Sequence, residues 1–265
     1  MEFLEYHCSN KNYFTEINLV LNGDILNLIQ MDFKGEFTHF ITEEVTIHFL
    51  ERIHKGHKEL FVALEKFLSR PNKKITYVIG NHDLPMIFEG AQKKLKEMIG
   101  PEVDIVRYYH ENGLWIEHGH RFEPVNTVPQ AKEIVNGPDG QKIVNLPWGS
   151  LFCIYVMPLF KVHRPHLDKI RPLGGYIRWT FLNDFSFFWF GFWHVLKYIV
   201  KTRFKPWTIF NKNFKTSFKI LKTISSHPKY DKNAKKILST REDIDVVVMG
   251  HTHIAEWRKF KDGTL

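Results

Sequence analysis

A carboxylate, an amide oxygen and three imidazoles recur in this sequence at one kind of place, the polar turn after an apolar run. Asp24 follows Ile17 to Asn22, Asn81 follows Lys74 to Ile79, His118 follows Leu114 to Glu117, and His251 and His253 follow Ile244 to Met249. A hard or borderline divalent ion takes oxygen and imidazole donors of this kind, and a set without thiolate suits Mn²⁺, Fe or Zn²⁺ rather than a structural zinc site. His251 and His253 are two apart, so in an extended stretch both point the same way and could each meet a different ion. Taken singly, each block reads equally well as turn residues with an incidental surface histidine. Gly80-Asn81-His82-Asp83 and Gly250-His251-Thr252-His253 together, with Asp24 before them and His118 between, point to a single site.

Residues so far apart in the chain converge only if the elements ahead of them are aligned. Ile17 to Leu21, Lys74 to Ile79, Val103 to Tyr109, Leu114 to Glu117 and Ile244 to Met249 read as strands, the first of them buried. Glu43 to Ser69 carries Phe49, Ile53, Leu60, Leu64 and Phe67 at helical spacing, which predicts one or two amphipathic helices; Gln92 to Ile99 predicts another. Strands alternating with helices imply an α/β fold with polar groups gathered beyond the carboxyl ends of the strands. The expected architecture is a layered α/β sandwich flanked by helices. Its core comprises residues 1–124 and 241–265, and a helical, aromatic and basic insertion or cap occupies 125–240, with a helix from Lys215 to Leu238 near its end.

The chain has 265 residues, a net charge of +8 and 15% aromatics. Between Lys161 and Lys236 there are 17 Lys and Arg against three acids, a net of +14, so the remainder carries −6. That asymmetry suggests an acidic partner such as a phosphate-bearing substrate, nucleic acid or anionic lipid. Two cysteines, Cys8 and Cys153, build neither a disulfide framework nor a thiolate zinc site. With no signal-peptide pattern in Met1 to Asn10, a cytoplasmic location is expected.

Asp24, the Gly-Asn-His-Asp block, His118 before Gly119 and the Gly-His-Thr-His block stand in the order found in calcineurin-like metallophosphoesterases, which this chain resembles over Ile17 to His120 and Ile244 to His253. The resemblance implies a binuclear phosphoester hydrolase with two divalent ions, Mn²⁺ foremost. Asp24 would bridge the ions, Asn81, His118 and His251 would complete one site, and His253 would belong to the other. It implies that His82 touches the substrate phosphate and assists the leaving oxygen, that Asp83 orients His82, and that a hydroxide shared by the ions attacks in line. Arg121, just past the His118 block, is a candidate for contacting a substrate phosphate. The family's first block, Asp-x-His, is missing; Glu5-Tyr6-His7 is its nearest lookalike, and both ends of the chain read as truncated. Asn27 stands where many relatives have an acid, a departure expected to matter little.

Phe185 to Trp193 is the most apolar stretch, too short to span a bilayer at about 20 residues. With Lys197, Lys201, Arg203 and Lys205 beside it, it reads either as an interfacial segment on the inner membrane face or as a hairpin packed on the domain. The position of the insertion resembles that in UDP-diacylglucosamine pyrophosphohydrolases, which implies a lipid-linked phosphodiester or pyrophosphate substrate; no obligate protein partner is evident. A nuclease, a cyclic-nucleotide phosphodiesterase, or a membrane-surface binding protein with an incomplete site are the competing readings.

Overall fold

The structure is a computed structural model that describes residues 2–170, 173–204 and 230–260. Its first sheet joins β1 (Ile17–Asn22), β4 (Lys73–Val78) and β5 (Val103–Val106), all parallel, in the order β1-β4-β5. Two short strands, β2 (Asp32–Phe33) and β3 (Glu36–Phe37), form a hairpin after β1. A second sheet has the order β10-β7-β6, in which β7 (Leu114–Glu117) pairs antiparallel with β6 (Tyr108–Glu111) and parallel with β10 (Val246–Met249). The predicted strand from Val103 to Tyr109 is thus two strands in two sheets, divided at Arg107. The ion pair of Arg107 with Glu133 holds that corner.

Why the first sheet is covered on one side follows from helix chemistry. Thr42 caps α2 (Glu43–Gly56) by accepting from the Val45 N–H at 3.2 Å, and acids begin the helix while His54 and Lys55 end it, each complementing the helix dipole. A break at His57 separates α2 from α3 (Lys58–Leu68), and α4 (Glu89–Ile99) packs against both. Phe49, Leu50, Phe61, Phe67, Leu95 and Ile99 from these helices meet Ile75 and Tyr77 of β4 in the core. Strand β1 lies at the sheet edge and is half-buried along its length, so the expectation of a buried strand is corrected. The N-terminal helix α1 (Glu2–His7) sets Leu4 into the core against α3.

The insertion is neither detached nor wholly helical. It begins with a hairpin of β8 (Ile134–Asn136) and β9 (Lys142–Val144), then α5 (Trp148–Tyr155) and α6 (Met157–His163). Val144, Leu146, Trp148, Leu151 and Ile154 belong to the same apolar cluster as the sheet and its helices, so packing does not divide the chain at residue 125. Next come α7 (Leu173–Asn183) and α8 (Phe185–Phe204); α9 (Asp231–Thr240) returns the chain to β10. The predicted helix from Lys215 to Leu238 lies outside the described residues up to 229.

Candidate metal centre

Gly23-Asp24, Gly80 to Asp83, His118 and Gly250-His251 occupy the turns at the carboxyl ends of β1, β4, β7 and β10. These turns are tight. Asp24, Asn27, His251 and His253 all have positive φ (54°, 51°, 66° and 57°), a region that side chains with a Cβ enter at a cost. Such backbone concentrates where a site is held against local preference. Gly80 has to be glycine, because a Cβ there would lie 2.1 Å from Asp24 Oδ1. At Gly23 a Cβ would lie 2.5 Å from the His118 ring.

One ligand atom from each of Asp24, His118 and His251 falls within 4.8 Å of the other two. His118 is buried, and its Nδ1 donates to the Asn22 carbonyl at 3.0 Å. That bond leaves Nε2 as the lone-pair nitrogen, and it faces Asp24 Oδ2 at 3.0 Å. A lone pair and a carboxylate oxygen repel at this distance unless a proton or a cation lies between them. Asn81 adds a buried amide oxygen, Oδ1, that finds no hydrogen-bond partner among the described residues. A carboxylate, two imidazoles and an amide oxygen without a partner among the described residues fit a divalent ion, and protons must leave such a site when metal enters.

The electrostatics agree with the geometry. Burial alone would raise the Asp24 carboxyl, but the bond to His118 and the nearby His82 hold it well below the usual carboxylate range. Burial opposes protonation of His118, yet the Asp24 partner raises it overall. His120 is pushed down to about 3, by burial first and then by His118 and His251.

The predicted residues are not all brought together. The Gly250 to His253 segment is not extended, because both histidines have positive φ and Thr252 N–H turns back to the Gly250 carbonyl at 2.7 Å. The two rings therefore do not point the same way: His251 turns inward to the donor group, while His253 is exposed and outside it. Glu5 and His7, on α1, are likewise outside the donor group. Arg121 is engaged elsewhere, by the buried Glu117 carboxylate and the rings of Trp115 and Phe122.

Around His82 the arrangement differs from expectation. Its backbone N–H donates to Asp24 Oδ1 at 2.8 Å, but its ring Nδ1 meets Asn27 Oδ1 at 2.6 Å. The Asn27 amide nitrogen is occupied by Gln30 Oε1 at 3.1 Å, which fixes the oxygen toward the ring. Asp83 does not orient His82. Its fully buried carboxylate accepts from Ile25 N at 2.7 Å and from the Tyr77 hydroxyl at 2.5 Å, holding the Asp24 turn to β4. Helix α5 closes over the site, with Ser150 Oγ 3.5 Å from the Asn81 carbonyl and Cys153 Sγ 3.8 Å from His82 Nε2. Reading the sequence alone missed Glu123 and Asn126 and gave Asn27 little weight, where the structure sets it on the His82 ring; a carboxylate five residues past a candidate histidine ligand was the available signal for Glu123.

An α/β scaffold that gathers carboxylate, amide and imidazole donors beyond its strand ends defines a metal-binding hydrolase site. The pattern of the calcineurin-like phosphoesterase family matches residues 12–255, and the chain belongs to that family. Metal-dependent phosphoester hydrolysis is the activity the family brings to it. No curated protein and no solved structure matches the chain.

Proposed function

We propose that this protein hydrolyses a phosphodiester or pyrophosphate bond in a lipid-linked substrate, at an anionic membrane surface on the cytoplasmic side, with two divalent ions of which Mn²⁺ is preferred. The observation that carries the hydrolytic reading is the group of Asp24, His118 and His251 with the unpartnered Asn81 oxygen. Those residues would hold one ion; the second would share Asp24, and His253, exposed and outside the group, would have to turn toward it to be a ligand. When bound, the ions supply Lewis acidity toward the phosphoryl oxygens and toward water.

The chain's own residues orient and exclude. Asn27 keeps a proton on His82 Nδ1, so Nε2 is the atom at which this side chain holds or passes a proton near the leaving oxygen. Helix α5 shields His82 from bulk water on one side. Asp83 serves the scaffold, and Arg121 is held by the Glu117 carboxylate.

The lipid reading is supported by α7 and α8. Phe185, Trp189, Phe192, Trp193, Leu196 and Val200 recur at helical spacing on α8, and all are exposed. The opposite face of α8 packs on Phe160 and Trp148, and the Tyr198 hydroxyl donates to the Trp148 carbonyl at 3.1 Å. No helix among the described residues is long and apolar enough to cross a membrane. A continuous aromatic face suits an interfacial helix better than a nucleic-acid platform, in which bases stack on aromatics along a basic groove. The test is Mn²⁺-stimulated hydrolysis of bis(4-nitrophenyl) phosphate by the 265-residue chain. Loss of turnover in Asp24→Ala and His82→Ala is expected; turnover indifferent to metal, or unchanged in both variants, sinks the proposal.

A further inference from the structure

We infer that Glu123 is a positioning residue for His251, a carboxylate behind the ligand that fixes which imidazole nitrogen is offered to the metal. The inference rests on the metal-dependent reading above and adds to it a residue that no motif contains. Glu123 ends the turn after His118, where the Phe122 N–H bonds to the Gly119 carbonyl at 3.2 Å and the Glu123 N–H to the His120 carbonyl at 3.0 Å. Only 8% of Glu123 is exposed.

Its carboxylate Oε2 lies 3.1 Å from His251 Nε2 and 2.6 Å from Asn126 Nδ2, and these two nitrogens are 3.0 Å apart. An ionised carboxylate only accepts hydrogen bonds, so His251 Nε2 carries the hydrogen and Nδ1 keeps the lone pair. Glu123 itself is not among the grouped donors of the described residues, so it acts through His251. Both of its oxygens are constrained. Asn126 is pinned by its own N–H to the Glu123 carbonyl at 2.9 Å and by Gly149, where a Cβ would come within 2.0 Å of Asn126 Oδ1. On the other side the Tyr230 hydroxyl reaches Oε1 at 3.4 Å.

A carboxylate buried this far is costly unless its partners need it. The partner that gains is the imidazole: a ring held at Nε2 cannot rotate away, and a hydrogen bond to carboxylate makes the opposite nitrogen a better donor. The same contact ties the site to the end of the insertion through Tyr230, immediately before α9.

The test is Mn²⁺ binding to the metal-stripped 265-residue chain by isothermal titration, for the parent, Glu123→Ala and Glu123→Gln, with circular dichroism confirming the fold. Glu123→Ala is expected to bind Mn²⁺ about 10- to 100-fold more weakly, the usual effect of losing an outer carboxylate. Glu123→Gln keeps an acceptor oxygen and is expected to lose only about threefold to tenfold. If Glu123→Ala does not fold, Glu123→Gln decides alone, with that modest loss supporting the inference and parent affinity overturning it. Parent affinity in Glu123→Ala also overturns it. So does equal, severe weakening in both variants, which would mark Glu123 as a direct ligand. A parent protein that takes up no Mn²⁺ removes the metal reading itself, and this inference with it.

Discussion

The strand-end turns and the α7–α8 pair use their side chains in opposite ways. At the strand ends polar side chains meet specific partners: Asp24 meets His118 and the His82 N–H, Asn27 meets His82, and Glu123 meets His251. Asn81 Oδ1 is one of several buried polar atoms there without a hydrogen-bond partner among the described residues, and as an amide oxygen it is a donor that suits a cation. On α7 and α8 the exposed residues include Trp179, Phe181, Leu182, Phe185, Trp189 and Trp193; Phe185 contacts Phe181 and Trp189, and all leave much of their surface to solvent. Directional bonds at the strand ends define a geometry; α8 offers exposed apolar area without direction. A contiguous apolar face of this kind marks an interaction surface. The difference teaches that the polar site and the exposed apolar face are built in separate parts of the chain, connected through α5 and Tyr198.

The largest effect is expected at Asp83, whose carboxylate holds the Asp24 turn to β4. Burial, and then the nearby Asp24 carboxylate, push its pKa up from 3.8 to about 6. Between those values the folded state keeps a proton that the unfolded state has released, so stability falls as pH rises from about 4 to about 6 and the penalty persists above. At neutral pH the penalty is on the order of 3 kcal/mol. Asp83→Asn retains an oxygen to accept from Ile25 N and Tyr77. In urea unfolding of metal-free protein it is expected to match the parent near pH 4 and to exceed it by about 2–3 kcal/mol at pH 7. A difference that does not vary with pH would remove the ionised carboxylate from the account.

Next is the group that orients His82. Asn27→Ala frees the ring at Nδ1 and is expected to lower kcat for an aryl phosphodiester by about tenfold or somewhat more, with bound metal unchanged. An unaltered kcat would mean that the 2.6 Å contact is structural only. The smallest effect is expected at the aromatic face. Trp189→Ala combined with Trp193→Ala should weaken sedimentation with phosphatidylglycerol vesicles about fivefold. Equal binding of parent and variant would leave α8 as packing surface.

Much of this site was legible because metal chemistry admits few residue types, and Asp24, Asn81, His118 and His251 could be picked out by type, order and the apolar runs ahead of them. What could not be read has a backbone origin. His251 and His253 look like alternating residues of a strand, yet two left-handed residues curl the segment and part the rings. Asn27 looked like a neutral replacement, because only the fold carries the β1 turn to within 2.6 Å of His82. The run from Val103 to Tyr109 has uniform strand character, and only packing against Glu133 shows that it turns at Arg107. The hairpin of β8 and β9 escaped notice because strands of three residues give little alternation to detect.

The central claim is that Asp24, Asn81, His118 and His251 hold a divalent ion. It is tested most directly by counting metal bound per chain after equilibrium dialysis against Mn²⁺, for the parent and for Asp24→Ala with its fold checked by circular dichroism. The account predicts at least one ion per parent chain and none retained in Asp24→Ala; equal metal in the two proteins would contradict it.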